Sequence, residues 1–480
     1  MRRLARRAVE ALRGAGVEYG DVRVESISTE SLTFRSLRLS DASLKNEEGA
    51  GVRAVVDGCW GFASCTGLSE SAVDDAVTRA VEVARAGGVA RAGSVRLSAE
   101  EPQEGSFQGP CREDPFDVSR EEKIDLLARS CENLHAPREV SVSYAGLWFE
   151  KRHRVFGSTE GSLVSSEMVF SQPVLQATAV HREDAQSRSL QVGGRAAGYE
   201  WIRELDLAGT AARIGEEAVM KVRADEGPTG TMDLVLDGIH LGLTMHESVG
   251  HPTESDRALG WEANMAGRSF LKLSDRGSLR YGSPLVSFLA DNTLDGGLAS
   301  WGWDDEGVPG QRWYLVREGI FREFGTVRET APELGEASSR GCCRAQDFTH
   351  FPINRQPNLY LEPGDEGVSA EGLISGVDRG VYIEGRGSFS IDQMRLNFQF
   401  GGDFFWEIRG GRKVRPLKKV IYRSTTPEFW GSCDGVAGPA DFRRLGLLTC
   451  GKGEPMQAAR MTHGASHTRF RGIEVRGGRA

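Results

Sequence analysis

Apolar and small residues recur at helical spacing from Leu4 through Ala8 to Leu12, and Gly14-Ala-Gly16 closes the run, which predicts a helix over residues 3–14. Alternation then takes over. Residues 21–27 and 31–38 read as strands, and 51–56 with 59–64 as a hairpin turned at Asp57-Gly58. Helical spacing returns over 69–86, with Ser69 as N-cap and Gly87-Gly88 as the stop. Residues 91–116 are rich in Gly, Ser, Pro and Glu and read as a linker. The pattern repeats beyond it: a helix over 119–132, strands over 140–149, 155–158 and 167–181, and a helix over 207–221. After the break at Glu226-Gly-Pro-Thr-Gly230 the texture changes. One strand (232–236) precedes a helix-like segment (241–258), and many short strands follow, including a hairpin of 404–409 with 413–421 around Gly410-Gly411. No solenoid repeat or low-complexity tract is visible. The expected fold is α+β: an N-terminal α/β region of strands with flanking helices, and a large β-rich C-terminal domain. The expected division is a domain over 1–90, a linker over 91–116, a middle α+β domain over 117–225 and the C-terminal domain over 229–480.

Composition narrows the class. The chain has 480 residues, 39% hydrophobic and 26% charged, which excludes a mostly disordered protein. At about 150 residues per domain, that length suggests three domains, or two with one large. Glycine supplies 60 residues without a three-residue period, which excludes collagen and favours a turn-rich, strand-heavy protein. A net charge of −9 argues against a dedicated nucleic-acid binder, so no direct nucleic-acid partner is expected. No apolar run reaches about 18 residues, so no membrane span is expected. The basic start, Met1-Arg-Arg-Leu-Ala-Arg-Arg7, leads into no apolar core or cleavage site and reads as the first helix rather than a secretory signal. Eight cysteines are dispersed without a CxxC pair. They predict free thiols in a reducing compartment, and the expected location is the cytoplasm.

Chemistry concentrates in one stretch, Leu243-Thr-Met-His246-Glu247-Ser-Val-Gly250-His251-Pro-Thr-Glu254-Ser-Asp256-Arg257. It contains His-Glu-x-x-x-His in a chain with only 9 histidines. Two histidines four apart share a helix face and bind zinc. Five apart, they stand roughly 140° from one another on an ideal helix, against roughly 40° for four. An extra-residue bulge or a kink would bring both to one metal. Gly250 would tolerate that distortion, and Pro252 biases His251 away from helix, so His251 is expected at a turn. A metal there would lower the pKa of a bound water towards about 7, and Glu247 is the neighbouring carboxylate that would take its proton. A catalytic zinc usually has three protein ligands. The candidates for the third are Cys450, Cys433, Glu254 and the four-spaced pair His463 and His467. Cys450 is set apart by its Gly-Lys-Gly tail, and a nearby cation such as Lys452 would help hold a thiolate.

With these residues the sequence resembles the TldD/PmbA family of peptidases, on its metal-binding TldD side. The resemblance is carried by His246-Glu247-Ser-Val-Gly250-His251, by the following Pro-Thr-Glu254-Ser-Asp256-Arg257-Ala-Leu-Gly260, and by Cys450-Gly-Lys-Gly453. Gly51-Val-Arg-Ala-Val-Val-Asp57-Gly-Cys-Trp60-Gly-Phe62 is similar to the family's first domain, and the likeness covers nearly the whole chain. It implies a zinc metallopeptidase, with the C-terminal domain carrying the motif and the late cysteine. The implied ligands are His246, His251 and Cys450, and the implied base is Glu247. It further implies unfolded or flexible peptide substrates and a site enclosed in a dimer, either of two copies or with a sister subunit that lacks the motif. His463 and His467 are not ligands in that pattern and are candidates for supporting or substrate-contacting roles. Glu254 and Asp256 are candidates to orient the histidines, and Arg257 to pair with one of them.

A zinc peptidase suits an extended substrate. A strand edge in the β-rich domain would pair with a peptide backbone with little sequence preference, and folded proteins would be excluded. Two other readings stand beside this one. The chain would be a non-catalytic peptide-binding or assembly subunit with a structural metal, or a hydrolase of a small peptide natural product. The intact glutamate argues against the first, because a structural site has no use for a base there. Trp301 and Trp303, beside Asp304, Asp305 and Glu306, read as a packed loop or an aromatic platform.

Overall fold

The computed structural model describes residues 1–88 and 93–478; residues 89–92, where the expected linker begins, and 479–480 lie outside the described residues. The architecture is α+β. Strands between residues 19 and 196 form one eight-stranded sheet. Its long strands lie in the spatial order Cys59–Thr66, Arg38–Val56, Tyr19–Arg35, Val140–Ser158, Leu163–His181. The segments 1–90 and 117–225 are therefore joined by continuous antiparallel pairing, from Asp21 opposite Ser158 to Arg35 opposite Tyr144. Within 91–116, Glu104–Gln108 adds a parallel strand beside Leu163–Glu167, so the expected linker is partly sheet.

Several expected short strands are pieces of longer ones. Residues 21–27 and 31–38 belong mostly to Tyr19–Arg35, which turns at Ser36-Leu37 into Arg38–Val56. Both turn residues have positive φ, 45° and 68°, without the glycine or asparagine that marks such a turn in a sequence. The first part of Arg38–Val56 is exposed throughout, so it lacks the alternation of a half-buried strand. The turn at Asp57-Gly58 lies where expected, with φ of 50° and 69°.

The two faces of this sheet differ. Val22, Val24, Leu32 and Phe34 point to one face, under Arg2–Gly14, Glu70–Gly87, Arg120–His135 and Leu207–Arg223. Ser69 and Ser119 cap two of these helices through the N–H groups of Ala72 and Glu122. The intervening Asp21, Arg23 and Glu25 point the other way, yet each is only 1% exposed. They meet the C-terminal part. Arg53 bridges Asp21 (2.5 Å) and Glu306 (3.5 Å), Arg23 lies 3.7 Å from Asp305, and Arg154 pairs with the same aspartate. Trp301 packs on Phe170 under the Arg154 guanidinium, and Trp303 donates to Gln103, so this loop is packed structure.

Beyond residue 229, five strands close on themselves: Arg379–Ile391, Gly230–Leu236, Thr468–Gly477, Val420–Thr425 and Asn397–Arg409. This small barrel is filled by aromatics, among them Phe400, Tyr422, Phe429 and Phe470. Asn397–Arg409 turns at Gly410-Gly411 into Arg412–Lys418, as expected. A six-stranded sheet stands beside the barrel and ends in the hairpin of Gln457–Ala465 and Arg443–Lys452. The helix Gly238–Met245 packs on barrel strand Arg379–Ile391 and on both hairpin strands. It thereby carries the residues after it to the seam between barrel and sheet. No described helix is long and apolar enough to cross a membrane, and all eight cysteines are free.

The edge strand Arg443–Lys452 touches the N-terminal part backbone to backbone. Gly446 bridges Gly193, and a Cβ at Gly446 would stand 1.8 Å from the Gly194 carbonyl oxygen. Gly446→Ala is expected to cost about 1–3 kcal/mol of stability through forced separation of these backbones. Chemical denaturation measures this, and an unchanged midpoint would show that the contact is not tight.

Candidate metal centre

Asp237 opens the motif helix by accepting the His240 N–H at 2.7 Å. Past Met245 the helix does not continue regularly. Residues His246–Gly250 form a π turn, in which the N–H of His251 reaches the His246 carbonyl. A 3₁₀ turn, His251–Thr253, and a short helix, Ser255–Leu259, follow, so the expected single helix over 241–258 is broken into four pieces. The i→i+5 bond removes most of the angular offset between the histidines, and their ring centroids are 4.7 Å apart. The bulge expected from the spacing is present, and His251 stands at the start of the tighter turn.

The role of Gly250 differs from the expectation. Its φ of −62° is ordinary helical backbone. What the position requires is space, because a Cβ there would stand 1.9 Å from Gln356 Oε1. Gln356 in turn donates from Nε2 to the His246 carbonyl at 3.1 Å, clamping the π turn from outside.

Cys450 arrives from the hairpin. Leu447 pairs with Met461 but Cys450 with Ala459, so the edge strand carries one extra residue just before the cysteine. Such a bulge re-aims the side chains beside it. Cys450 Sγ lies 3.6 Å from His251 Nε2, and one ligand atom each from His246, His251 and Cys450 lie within 4.8 Å of one another. Among the described residues no other such trio of metal-ligating side chains converges. Cys433 sits instead in the barrel core, where burial pushes its thiol up to about 12.

The outer nitrogens of both imidazoles are engaged. His246 Nδ1 shares a 2.8 Å hydrogen bond with His463 Nε2, and His251 Nδ1 lies 2.8 Å from Glu254 Oε2. Glu254 also accepts from Arg257 Nε at 2.8 Å and faces Lys452 Nζ at 3.2 Å. Asp256 does not touch the histidines; both its oxygens accept from Lys452 Nζ at 2.7 Å. Lys452 therefore serves these carboxylates rather than the thiol. His467 lies away from this group, 3.2 Å from the Tyr382 hydroxyl.

The electrostatics favour ligand forms. Burial pushes His246 and His251 down to about 4, so both imidazoles are neutral near pH 7. Burial works against a thiolate at Cys450, yet the thiol is held below its usual value, with the Arg355 guanidinium the permanent positive charge beside it. Burial likewise opposes the Glu254 carboxylate, and Lys452, His251 and Arg257 hold it well below the usual range. Two neutral imidazole nitrogens, each ring oriented by a bond at its other nitrogen, and a thiolate-prone sulfur are a donor set that fits zinc.

Glu247 lies beside the ligands and faces a cavity of about 540 Å³ shared with His246, His251 and Cys450. Its Oε2 accepts from Arg395 Nη1 at 2.5 Å. Arg395, Gln356 and Arg355, which donates to the Cys450 carbonyl, carry no sequence signal: each comes from a loop or strand about a hundred or more residues from the motif or the cysteine it serves.

Known proteins match this chain along its length. Family models for domain 1, the central domain and the C-terminal domain of the PmbA/TldA metallopeptidases match residues 20–84, 113–224 and 229–477. A metalloprotease of Methanothermobacter thermautotrophicus is 29% identical over 467 residues, covering 96% of each chain. A protein of Saccharolobus solfataricus named a zinc metalloprotease TldD homolog is 21% identical, covering 96% of this chain and 97% of its own. The crystal structure of TldE from Thermococcus kodakarensis superimposes with a TM-score of 0.75 at 15% identity, over 98% of this chain and 99% of that one.

Glu254→Gln removes the carboxylate that orients His251 and leaves all three ligand side chains in place. It is expected to lower metal affinity about 10–100-fold, read by competition with a chromophoric chelator on protein shown by circular dichroism to be folded. Equal affinity in a folded variant would rule out the orienting role.

Proposed function

The chain belongs to the PmbA/TldD metallopeptidase family, and on that premise we propose that it is a zinc peptidase acting on unfolded or flexible peptides. His246, His251 and Cys450 hold the metal, and Glu247 is the general base. The observation that carries this reading is the convergence of two imidazoles and a thiol within 4.8 Å of one another, at the wall of a cavity that also contains Glu247.

Bound zinc supplies Lewis acidity that polarises a scissile carbonyl and acidifies water. The remaining work falls to the chain. His246 Nδ1–H donates to His463 and His251 Nδ1–H to Glu254, which leaves both Nε2 lone pairs for the metal. Arg395 holds the Glu247 carboxylate in place. From there Glu247 takes a proton from the attacking water and returns it to the leaving amine nitrogen. The substrate class follows from the cavity wall. Leu447 to Gly451 line it, and they belong to Arg443–Lys452, the edge strand of its sheet, beyond the residue Gly446 that already pairs with the Gly193 backbone. An extended peptide adds to such an edge through backbone hydrogen bonds, which a folded protein has already committed elsewhere.

A structural zinc site is usually closed by four protein ligands, and only three converge among the described residues, which favours catalysis over the scaffold reading. A hydrolase of a small peptide natural product would use the same residues. The reading includes a dimer that encloses the site, formed by two copies or with a motif-lacking sister chain, and a reducing compartment, consistent with eight free thiols. Sedimentation of the purified chain alone separates the first kind of dimer from the second.

Glu247→Gln keeps the shape and removes the base. The variant is expected to bind zinc at wild-type stoichiometry while turnover of an unstructured peptide falls about 10²–10⁴-fold. Unchanged turnover would contradict the mechanism.

A further inference from the structure

A second cavity, of about 530 Å³, adjoins the metal cavity and shares Gln172, Leu448 and Thr449 with it. One wall is the charged face of the N-terminal sheet, with Trp148, Glu150 and Arg152, and the other carries Arg344 and Arg460. Four guanidinium groups (Arg152, Arg154, Arg344 and Arg460) and three carboxylates (Glu47, Glu150 and Asp347) line it. Glu150 binds Arg460 through both oxygens, at 2.5 and 2.7 Å, and Arg152 at 3.0 Å, while Arg152 also lies 3.9 Å from Glu25 and Glu47 pairs with Lys45 at 2.8 Å. Arg154 is committed to Asp305. Asp347, at the rim, is turned to its own loop and accepts from Thr349 and His350. Arg344 donates to the carbonyls of Arg460 and Gln356, and among the described residues no carboxylate pairs with it. Carbonyl oxygens satisfy its N–H groups but leave its charge uncompensated. Burial and the neighbouring Arg355 accordingly push it down to about 10.

From the Arg344 guanidinium, which no carboxylate among the described residues pairs, and from Arg152 and Arg460 in the same cavity beside the metal ligands, we propose that the second cavity is a specificity subsite for a carboxylate of the peptide substrate. The inference rests on the peptidase reading above and adds a preference to it. Arg460 follows Ala459, which pairs with Cys450. With paired strands about 4.8 Å apart and a rise of about 3.3 Å per residue, the subsite lies some two or three residues along an extended peptide from the metal ligands. The carboxylate is either an Asp or Glu side chain or the terminal carboxylate of the peptide.

The test uses the full-length, zinc-loaded protein and quenched fluorescent peptides of one neutral sequence. Glu is placed at each position in turn, and every peptide is made with a free and an amidated C-terminus. A single position is expected to raise kcat/KM about 10–100-fold over its Gln counterpart, the size of one charge-assisted hydrogen bond. If the terminal carboxylate is the ligand, the gain follows the free C-terminus instead. Glu150→Gln, which among the described residues leaves Arg460 without a carboxylate and Arg152 with Glu25 alone, is expected to widen the preference, and Arg344→Gln to narrow it. Because these variants act in opposite directions, general loss of folding does not imitate the result. Cleavage of all peptides at similar rates would overturn the subsite and leave the peptidase reading intact. Absence of any cleavage would overturn both.

Discussion

The hydrogen bond from the His251 N–H to the His246 carbonyl is the constraint on which the site depends. A regular helix would spread residues five apart over opposite sides, and neither a longer side chain nor a shift of the hairpin would bring both imidazoles to one point. The π turn does it with backbone alone. Its neighbours act to keep it. Gln356 occupies the space a side chain at Gly250 would fill, Tyr281 donates its hydroxyl to the Ser248 carbonyl, and the Trp430 indole N–H reaches the Ser248 hydroxyl at 3.0 Å. Single π turns of this kind inside helices gather at functional sites.

A second constraint joins the halves of the chain. The face of the N-terminal sheet that meets the C-terminal part is charged and buried, with Asp21, Arg53 and Glu306 in one group and Arg23, Arg154 and Asp305 in another. Buried ion pairs add little net stability compared with apolar packing, but removing one partner typically costs about 3–5 kcal/mol. These pairs tie the N-terminal sheet to the loop of Asp305 and Glu306 in the C-terminal part. Residues of that sheet and of the hairpin bearing Cys450 together line both cavities beside the metal ligands.

Much of this was legible in the residues. The helices capped by Ser69 and Ser119 and the glycine turns at Asp57-Gly58 and Gly410-Gly411 each carry a local signal, and each forms where that signal lies. The five-residue spacing of the histidines implied a bulge, because no regular helix reconciles it with a shared metal. What was hidden depends on distant partners. The Ser36-Leu37 turn lacks the residues that usually mark positive φ, and the exposed strand after it has no buried face to enforce alternation. Asp21, Arg23 and Glu25 alternate as a half-exposed strand would, and only the C-terminal part buries them. Glu254 and Asp256 are equivalent in sequence, yet one faces His251 and the other takes the ammonium group of Lys452. Arg395 reaches Glu247 from 148 residues away, a contact that no spacing rule could anticipate.

The most direct measurement is the X-ray absorption spectrum of the zinc-loaded protein at the metal edge, for wild type and Cys450→Ser. The site described here predicts one sulfur at about 2.3 Å with two imidazole nitrogens at about 2.0–2.1 Å, and loss of the sulfur in the variant. A wild-type spectrum without sulfur, or one unchanged by Cys450→Ser, would contradict the assembly of His246, His251 and Cys450 into one metal centre.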